Sequence, residues 1–211
     1  MTRAQVTALL GLAALTWGAW LLFAGVAVGL EHLAPFSLTV GVLVGAVTLF
    51  NLSLWRWPVF RSVLSDRPLL RGTWQLEIES NFVDEATGQR KRVEAYYLIR
   101  QTYVQLSVRL LTNETTSKTL CAQLVKSDDG EWTLQGTFLD TPALPLRERS
   151  GIHYGAFWLR LAGEPVSSFH GQYWTDRDTK GTVRSIAHIH SAIPADFAAA
   201  RKQFKDAQLL K

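Results

Sequence analysis

From residue 71 to residue 191, hydrophobic and polar residues alternate with period two in short segments. Such alternation is typical of antiparallel β strands that have one buried face. The segments are separated by DEATGQ, TNETT, SDDG and DRDTKG, which supply Asn, Asp, Thr and Gly where the chain must reverse. The pattern predicts eight strands, at Gly72 to Ser80, Lys91 to Gln101, Tyr103 to Thr112, Ser117 to Lys126, Glu131 to Asp140, Gly151 to Ala162, Ser168 to Thr175 and Gly181 to Ser191.

Eight consecutive antiparallel strands can close into an up-and-down barrel, which leaves no unpaired strand edge. A two-sheet sandwich is the alternative, and YYLIRQTYVQLSVRL is also compatible with one long bent strand. The interior of an eight-stranded barrel holds packed side chains or one small ligand. We therefore predict that residues 71–211 form a compact antiparallel β-barrel, followed by a short C-terminal helix, and that this domain binds a ligand.

Period-two parity predicts which side chains point into the barrel. In the first strand Trp74, Leu76 and Ile78 alternate with polar residues, and they should point inward. The same parity selects Val93, Ala95, Tyr97 and Ile99 in the second strand, and Trp132, Leu134, Gly136 and Phe138 in the fifth. If Gly136, Gly155 and Gly171 are interior, they leave volume beside aromatic rings, as a small-molecule site needs.

The first 55 residues follow a different pattern, because Arg3 and Glu31 are their only charged residues. The uncharged runs at 4–30 and 33–55 are each long enough for a helix that crosses a bilayer, which takes about 20 apolar residues. We predict a transmembrane helical hairpin over residues 1–55, followed by a basic juxtamembrane linker at 56–70. A cleaved signal peptide is the competing interpretation, but its apolar core would be much shorter.

Charge sets the expected orientation of this hairpin. The chain carries 22 Lys plus Arg against 18 Asp plus Glu, and four of the arginines follow the second helix closely. Basic residues favour the cytoplasmic side of a membrane. We therefore expect a multi-pass protein with both termini in the cytoplasm.

Little in the sequence favours catalysis. It contains no phosphate-binding glycine loop, nucleophile elbow or evident carboxylate pair, so we predict no enzymatic activity, no cofactor and no metal. His188 and His190 alternate on the last strand, but two such histidines alone do not make a metal site. Cys121 lies within a strand pattern and is predicted to be a packed structural thiol.

The order of these parts resembles a known family. A membrane hairpin, the strand RGTWQLE, a compact barrel and the hairpin GQYWTDRDTKGTVRSI resemble the two-transmembrane, β-strand-rich effectors of CBASS, the bacterial anti-phage systems that signal with cyclic oligonucleotides. The resemblance implies an inner-membrane defence effector whose barrel binds a cyclic dinucleotide made by a cognate nucleotidyltransferase. It also implies that the helices then act on the lipids of the inner membrane. Two helices are too few for a conducting path, both carry small-residue spacings suited to association, and the linker at 56–70 is short, so we further expect that binding promotes homo-oligomerisation, which disrupts the membrane. No DNA or RNA partner is expected.

A cyclic dinucleotide presents two flat bases and two phosphates, which require aromatic platforms and cationic or hydroxyl donors. Parity and chemistry together predict seven ligand-binding residues: Trp74, Tyr97, Trp158 and Tyr173 for the bases, and Arg160, Arg184 and Thr175 for the phosphates. A first-strand G-x-W with Arg184 on the last strand also resembles the calycin barrels, so a membrane-tethered carrier of lipids or small apolar ligands is the alternative function.

Overall fold

A computed structural model describes residues 3–25, 33–64, 66–83, 88–148, 150–190 and 193–209. The helices are α1 (Arg3–Phe23), α2 (Leu33–Leu52), α3 (Pro58–Leu64) and α4 (Phe197–Leu209), and the strands are β1 (Gly72–Val83), β2 (Arg90–Gln101), β3 (Leu106–Leu111), β4 (Thr115–Lys126), β5 (Trp132–Pro142), β6 (His153–Ala162), β7 (Ser168–Thr175) and β8 (Lys180–Ile189). The chain divides into two compact units, one of residues 1–66 with 102–105, and one of residues 67–101 with 106–211.

The two predicted N-terminal helices form, but they are shorter than predicted. α1 ends at Phe23, and a turn follows in which Gly25 adopts a φ of 68°, a left-handed conformation that glycine accepts readily. α2 ends at Leu52, where the Arg56 guanidinium donates a 2.9 Å hydrogen bond to the Leu52 carbonyl oxygen. The link between the two helices, at residues 26–32, lies outside the described residues.

Over the ranges described, no helix has both the length and the apolar character that crossing a membrane requires. The predicted transmembrane hairpin over residues 1–55, and with it the multi-pass placement in the inner membrane, is therefore not supported.

A four-residue turn between β2 and β3 belongs to the N-terminal unit. The Tyr103 amide donates to the carbonyl oxygen of Asn51 at 2.9 Å, and the Val104 amide donates to the Asn51 side chain at 3.1 Å. The Tyr103 ring also contacts Phe50 and the fully buried Trp55, with ring centroids 5.1 and 5.9 Å apart. Tyr103 is thus part of this turn, so the predicted start of the third strand at Tyr103 is wrong, and the alternative of one long bent strand is excluded.

In the second unit, the eight strands form a closed antiparallel barrel in sequence order, with β8 paired to β1. The predicted barrel is confirmed, and the sandwich is excluded. Strand boundaries differ from the predicted ones by a few residues, since strand ends are set by pairing that the local pattern does not show. The barrel unit begins at residue 67, within the predicted linker, because Leu70 is fully buried in the barrel core.

The interior positions predicted for β1, β2 and β5 are confirmed. The interior cluster comprises Leu70, Trp74, Leu76, Ile78, Ala95, Tyr97, Ile99, Val108, Leu134, Phe157, Leu159, Leu161, Phe169 and Val183, with Val93, Trp132 and Phe138 packed against it. Burial of each large side chain contributes about 1.5–3 kcal/mol, so this cluster is the main source of barrel stability.

The interior glycines do not leave empty space, contrary to the sequence-based expectation. A Cβ atom at Gly136 would lie 2.7 Å from Cζ of Phe157, and one at Gly155 would lie 2.3 Å from Cζ of Phe138. At Gly171 the crowding comes from the backbone of β6. These glycines therefore let neighbouring aromatic rings and strands approach the sheet closely, and the rings fill the volume.

The C-terminal helix α4 covers part of the outer face of the barrel, over β2. Ala200 and Phe204 of α4 pack against Tyr96 and Leu98 of β2 in a second buried cluster. The Asp196 carboxylate accepts a 2.8 Å hydrogen bond from the Ala199 amide and so caps the start of α4.

Two side chains are more exposed than the sequence pattern indicates. Leu209, an apolar residue at the end of α4, is exposed. Cys121 is also exposed, because a β-bulge between Thr119 and Cys121 interrupts the alternation of β4. The prediction of a packed structural thiol at Cys121 is wrong.

Candidate functional site

The up-and-down topology gives the barrel two chemically different ends. The β2–β3, β4–β5 and β6–β7 connections lie at the end where β1 starts, which we call the closed end; the other four hairpin connections lie at the open end. At the closed end Trp74 and Phe169 are buried with ring centroids 5.0 Å apart, and the Trp74 indole donates a 2.9 Å hydrogen bond to the Leu70 carbonyl oxygen.

A buried amide completes the closed end. Gln101 accepts a 2.8 Å hydrogen bond from the Leu70 amide through Oε1, and it donates another of 2.8 Å to the Pro68 carbonyl oxygen through Nε2. The segment that leads into β1 is therefore fixed across this end of the barrel, and its backbone groups are satisfied.

A cavity of about 730 Å³ lies at the open end. This is within the usual range for small-molecule sites, and side chains from all eight strands contribute to its lining. Four interior rings form its aromatic wall, which consists of Tyr97, Phe138, Phe157 and Tyr173. The cavity therefore offers flat apolar surfaces inside a closed sheet.

The two tyrosines of this wall are neutral hydrogen-bonding groups. Burial raises the pKa of Tyr97, and the nearby Tyr173 raises it further. Burial also raises the pKa of Tyr173, with the charge of Asp140 acting in the same direction and a hydrogen bond with Ser80 acting against it. Both phenols keep their protons at neutral pH and can donate to a ligand.

Polar side chains form a ring between this wall and the mouth of the cavity. Ser80, Ser117 and Asp140 are buried at 7%, 3% and 5% exposure. The Thr115 hydroxyl donates a 2.6 Å hydrogen bond to Oδ2 of Asp140, and His153 Nε2 lies 3.8 Å from the same oxygen. A buried carboxylate thus faces the cavity, beside hydroxyl groups that can donate or accept.

Cationic side chains lie around the mouth. Arg177 donates to Ser150 Oγ at 2.7 Å and to the Gly151 carbonyl oxygen at 3.5 Å, both neutral acceptors. Lys91 is 3.1 Å from the Glu114 carboxylate, so part of its charge is already neutralised. Arg177 therefore presents the more available positive charge at this opening.

The structure brings three of the seven predicted site residues together. Tyr97, Tyr173 and Thr175 line the cavity. Trp74 is fully buried at the closed end, where its ring stacks on His188 with centroids 3.7 Å apart. It belongs to the packed core and does not line the cavity.

The remaining three predicted residues lie on the outer face of the barrel. Arg160 lies over the Trp158 ring, 5.4 Å from its centroid, and forms a 2.9 Å ion pair with Glu131. Arg184 is exposed and lies 2.6 Å from a Glu77 carboxylate oxygen. These residues point outward because Phe157, Leu159 and Val183, their strand neighbours, occupy the interior positions.

The outward position of Arg184 also bears on the calycin resemblance. Its hydrogen bond with Glu77 is the main cause that lowers the pKa of Glu77. Desolvation opposes this, and the charges of Arg184 and Arg92 lower the pKa further. The side chain that stacks on Trp74 is His188, whose pKa is lowered to about 4, mainly by burial and then by the charge of His190. The last-strand partner of the tryptophan is therefore a histidine.

Several cavity residues were not predicted from the sequence, although the inward parity of their strands indicates them. Ser80 continues the inward parity of Trp74, Leu76 and Ile78, and Asp140 continues that of Phe138. Arg177 gave no such signal, because turn residues do not follow strand parity. Among the described residues, no group of three or more His, Cys, Asp or Glu is placed to hold a metal ion.

Comparisons with known proteins place this cavity in context. A family model described as "Cap15, cyclic dinucleotide receptor domain" matches residues 65–185 of the chain. A protein named CD-NTase-associated protein 15, from Staphylococcus schleiferi, is 25% identical over 131 residues, which cover 62% of this chain and 66% of that protein. The chain therefore spans slightly less than two thirds of that relative's length, and the matched residues 65–185 include Tyr97, Asp140, Tyr173 and Arg177.

Proposed function

Because this chain belongs to the family of the Cap15 cyclic dinucleotide receptor domain, as its resemblance to the CBASS effectors predicted, we propose that its barrel binds a cyclic dinucleotide in the open-end cavity. In this proposal the messenger is made by a cognate nucleotidyltransferase, and the chain acts as an effector of anti-phage defence. The relative's name, which refers to a CD-NTase, supports such a partner.

The observation that carries this proposal is the chemistry of the cavity. Bases stack on aromatic side chains, and phosphates are bound by guanidinium groups and hydroxyls. The cavity combines an aromatic wall that includes Tyr97 and Tyr173 with the hydroxyl of Thr175, and Arg177 lies at its mouth. In our proposal the bases contact the aromatic wall, and the phosphates remain near Thr175 and Arg177.

Isothermal titration calorimetry on the full-length protein tests the receptor proposal. The protein is purified in mild detergent and titrated with cyclic di-AMP, cyclic di-GMP and the mixed guanine–adenine cyclic dinucleotide, and separately with fatty acids. We expect saturable binding of at least one nucleotide. Fatty-acid binding without nucleotide binding would favour the calycin-like alternative and overturn the proposal.

We propose that the barrel is a receptor and not an enzyme, in keeping with the description of its family. The nucleotide should therefore leave the protein unchanged. Mass spectrometry of nucleotide recovered after prolonged incubation checks this, and conversion to a linear or hydrolysed product would contradict it.

For the effector activity that follows binding, we propose that the ligand promotes self-association and that the N-terminal unit then disrupts a membrane. Several apolar side chains of α1 and α2 are exposed, among them Leu15, Phe23 and Val42, and lipid contact would remove them from water. A Cβ atom at Gly41 or Gly45 would have no neighbour within 4 Å, so this part of α2 can be approached closely by another helix.

Dye release from vesicles of bacterial lipid, measured beside sedimentation of the full-length protein, tests this output. We expect the nucleotide to increase both leakage and sedimenting mass. A ligand shifts the assembly equilibrium only if it binds the assembled state more tightly. Tight binding with neither change would leave a receptor without the proposed membrane activity.

A further inference from the structure

Asp140 is an unexpected side chain in a cavity proposed to hold an anionic ligand. Its side chain is only 7% exposed, and it faces the cavity from β5. A carboxylate and a phosphate that approach each other in a site shielded from water repel strongly. If the ligand is a cyclic dinucleotide, its phosphates must therefore avoid Asp140, and another part of the ligand must lie beside it.

One oxygen of this carboxylate is available to a ligand. Oδ2 accepts the hydrogen bond from Thr115, and His153 also lies beside that oxygen. In the described part of the chain, Oδ1 has no hydrogen-bond partner. An ionised carboxylate only accepts hydrogen bonds, and its two oxygens can together receive a pair of parallel N–H donors.

The other carboxylates at the rim of the cavity are engaged differently. Glu114 forms its ion pair with Lys91, and Glu94 lies 3.3 Å from the Arg201 guanidinium. Asp140 differs from both, since its partners among the described residues are a hydroxyl and an imidazole. Of these three carboxylates it is the one whose charge is not matched by a Lys or Arg.

The bases differ in the donors that they present at the Watson–Crick edge. Guanine carries N1–H and the N2 amino group side by side, so both can donate to one carboxylate. In adenine the N6 amino group lies beside N1, which is a hydrogen-bond acceptor. N1 would therefore face the carboxylate, itself an acceptor, and the two would repel. A carboxylate at this edge therefore favours guanine.

The surroundings of Asp140 suit a base. Phe138 lies two residues away on the same interior face, and its ring is 6.4 Å from that of Phe157 in a stacked arrangement. His153 and Ser117 are the cross-strand partners of Asp140 on either side. A purine at Asp140 can thus meet aromatic surface and edge acceptors in one position.

We propose that Asp140 reads the Watson–Crick edge of guanine, so that this cavity takes a cyclic dinucleotide with at least one guanine base. This rests on the proposed receptor function and adds the identity of one base. A second base is not specified by Asp140, and a mixed guanine–adenine ligand and cyclic di-GMP both satisfy the requirement.

The test compares affinities of the full-length protein for three nucleotides. We expect cyclic di-GMP and the mixed nucleotide to bind about 10- to 100-fold more tightly than cyclic di-AMP, as is usual for one well-made bidentate base contact. In the Asp140→Asn variant this ratio should fall close to one. An analogue with hypoxanthine in place of guanine, which lacks the N2 amino group, should bind the parent protein more weakly than the guanine ligand.

The asparagine variant is chosen because its amide oxygen can still accept from Thr115, which preserves the link between β4 and β5. Cooperative thermal unfolding like that of the parent confirms that it folds. Asp128→Asn, on the exposed β4–β5 turn at the closed end, removes the same charge and should keep the guanine preference.

The outcomes separate the two claims. Equal affinity for cyclic di-AMP and the guanine nucleotides in the parent protein overturns the base assignment and leaves the receptor function intact. So does an Asp140→Asn variant that folds and keeps the parent ratio. Failure of all three nucleotides to bind overturns both the base assignment and the receptor function.

Discussion

The two ends of the barrel are built from the same strands but differ in chemistry. β7 contributes buried Phe169 near the closed end and Thr175 at the open end, and β5 contributes buried Leu134 near its start, toward the closed end, and Asp140 to the cavity. The closed end is filled with apolar side chains, while the open end leaves about 730 Å³ lined by rings and polar groups. The packed core and the proposed ligand site thus lie at opposite ends of the same strands.

The largest effect is expected at the closed end, for Trp74→Ala. Removing a fully buried tryptophan leaves a cavity among Leu70 and Phe169, and such changes cost about 3–5 kcal/mol of unfolding free energy. Urea unfolding measures it. Trp174→Ala, which removes a half-exposed outer ring, should cost about 0.5 kcal/mol. Similar losses for both would mean that the closed end is not the stabilising part.

Next comes Gln101→Leu, which tests whether hydrogen bonds as well as packing hold the closed end. The change leaves the Leu70 amide and the Pro68 carbonyl without their partners, at a cost of about 1–3 kcal/mol. The midpoint of urea unfolding should fall accordingly. Gln123→Leu on the exposed face of β4 is the matched control and should leave the midpoint nearly unchanged.

At the open end the expected effect is on affinity. Tyr173→Ala removes a ring of the aromatic wall, and loss of one stacking partner costs about 1–3 kcal/mol of binding, or about 10- to 100-fold in affinity. Trp158→Ala removes an outer ring and should not change nucleotide affinity. Calorimetry on both variants checks this, and the reverse ranking would place the ligand on the outer face.

The smallest expected effect is a pH dependence of barrel stability, which arises from His188 at the closed end. The pKa of His188 is lowered to about 4 in the fold, whereas an unfolded chain has a histidine pKa near 6.5. As the pH falls from about 6.5 to 4, the unfolded state binds more protons than the folded state, so the barrel loses stability through this window.

His188→Phe removes this titration and keeps a ring against Trp74. Thermal unfolding at a series of pH values should therefore show a shallower loss of stability for this variant than for the parent. His170→Phe, on the exposed outer face of β7, is the control for exchanging a histidine for a phenylalanine elsewhere on the barrel. A parent slope retained in His188→Phe would exclude His188 as its source.

The alternation of the sequence predicted the eight strands because burial of one face requires period two wherever the ladder is regular. The alternation did not predict which side chains face the interior where pairing with a neighbouring strand determines this. β6 carries Phe157 and Trp158 in succession, and the pairing of Phe157 with Gly136 of β5 settles which ring is interior. The bulge at Leu120 exposes both Leu120 and Cys121, which no pattern along β4 alone could indicate.

The sequence predicted the kinds of side chain in the candidate site, aromatic rings, hydroxyls and an arginine, better than it predicted the particular residues. Tyr97 and Tyr173 follow strand parity and line the cavity, and extending that parity to the strand ends reaches Asp140 and Ser80. Arg177 lies on a turn, where the position of a side chain depends on the hydrogen bonds of the folded loop, here to Ser150. The arginines chosen on strands, Arg160 and Arg184, instead form outer ion pairs.

The assignment of the β2–β3 turn to the N-terminal unit matters to anyone who wishes to express the barrel by itself. A chain that starts at residue 67 lacks Asn51, Phe50 and Trp55, so Tyr103 loses its ring neighbours and the turn amides lose their acceptors. Such a truncated protein would carry a newly uncovered aromatic ring, and poor solubility or non-specific association would follow. Replacing Tyr103 by a polar turn residue, such as Asn, is the change to make when the helices are removed.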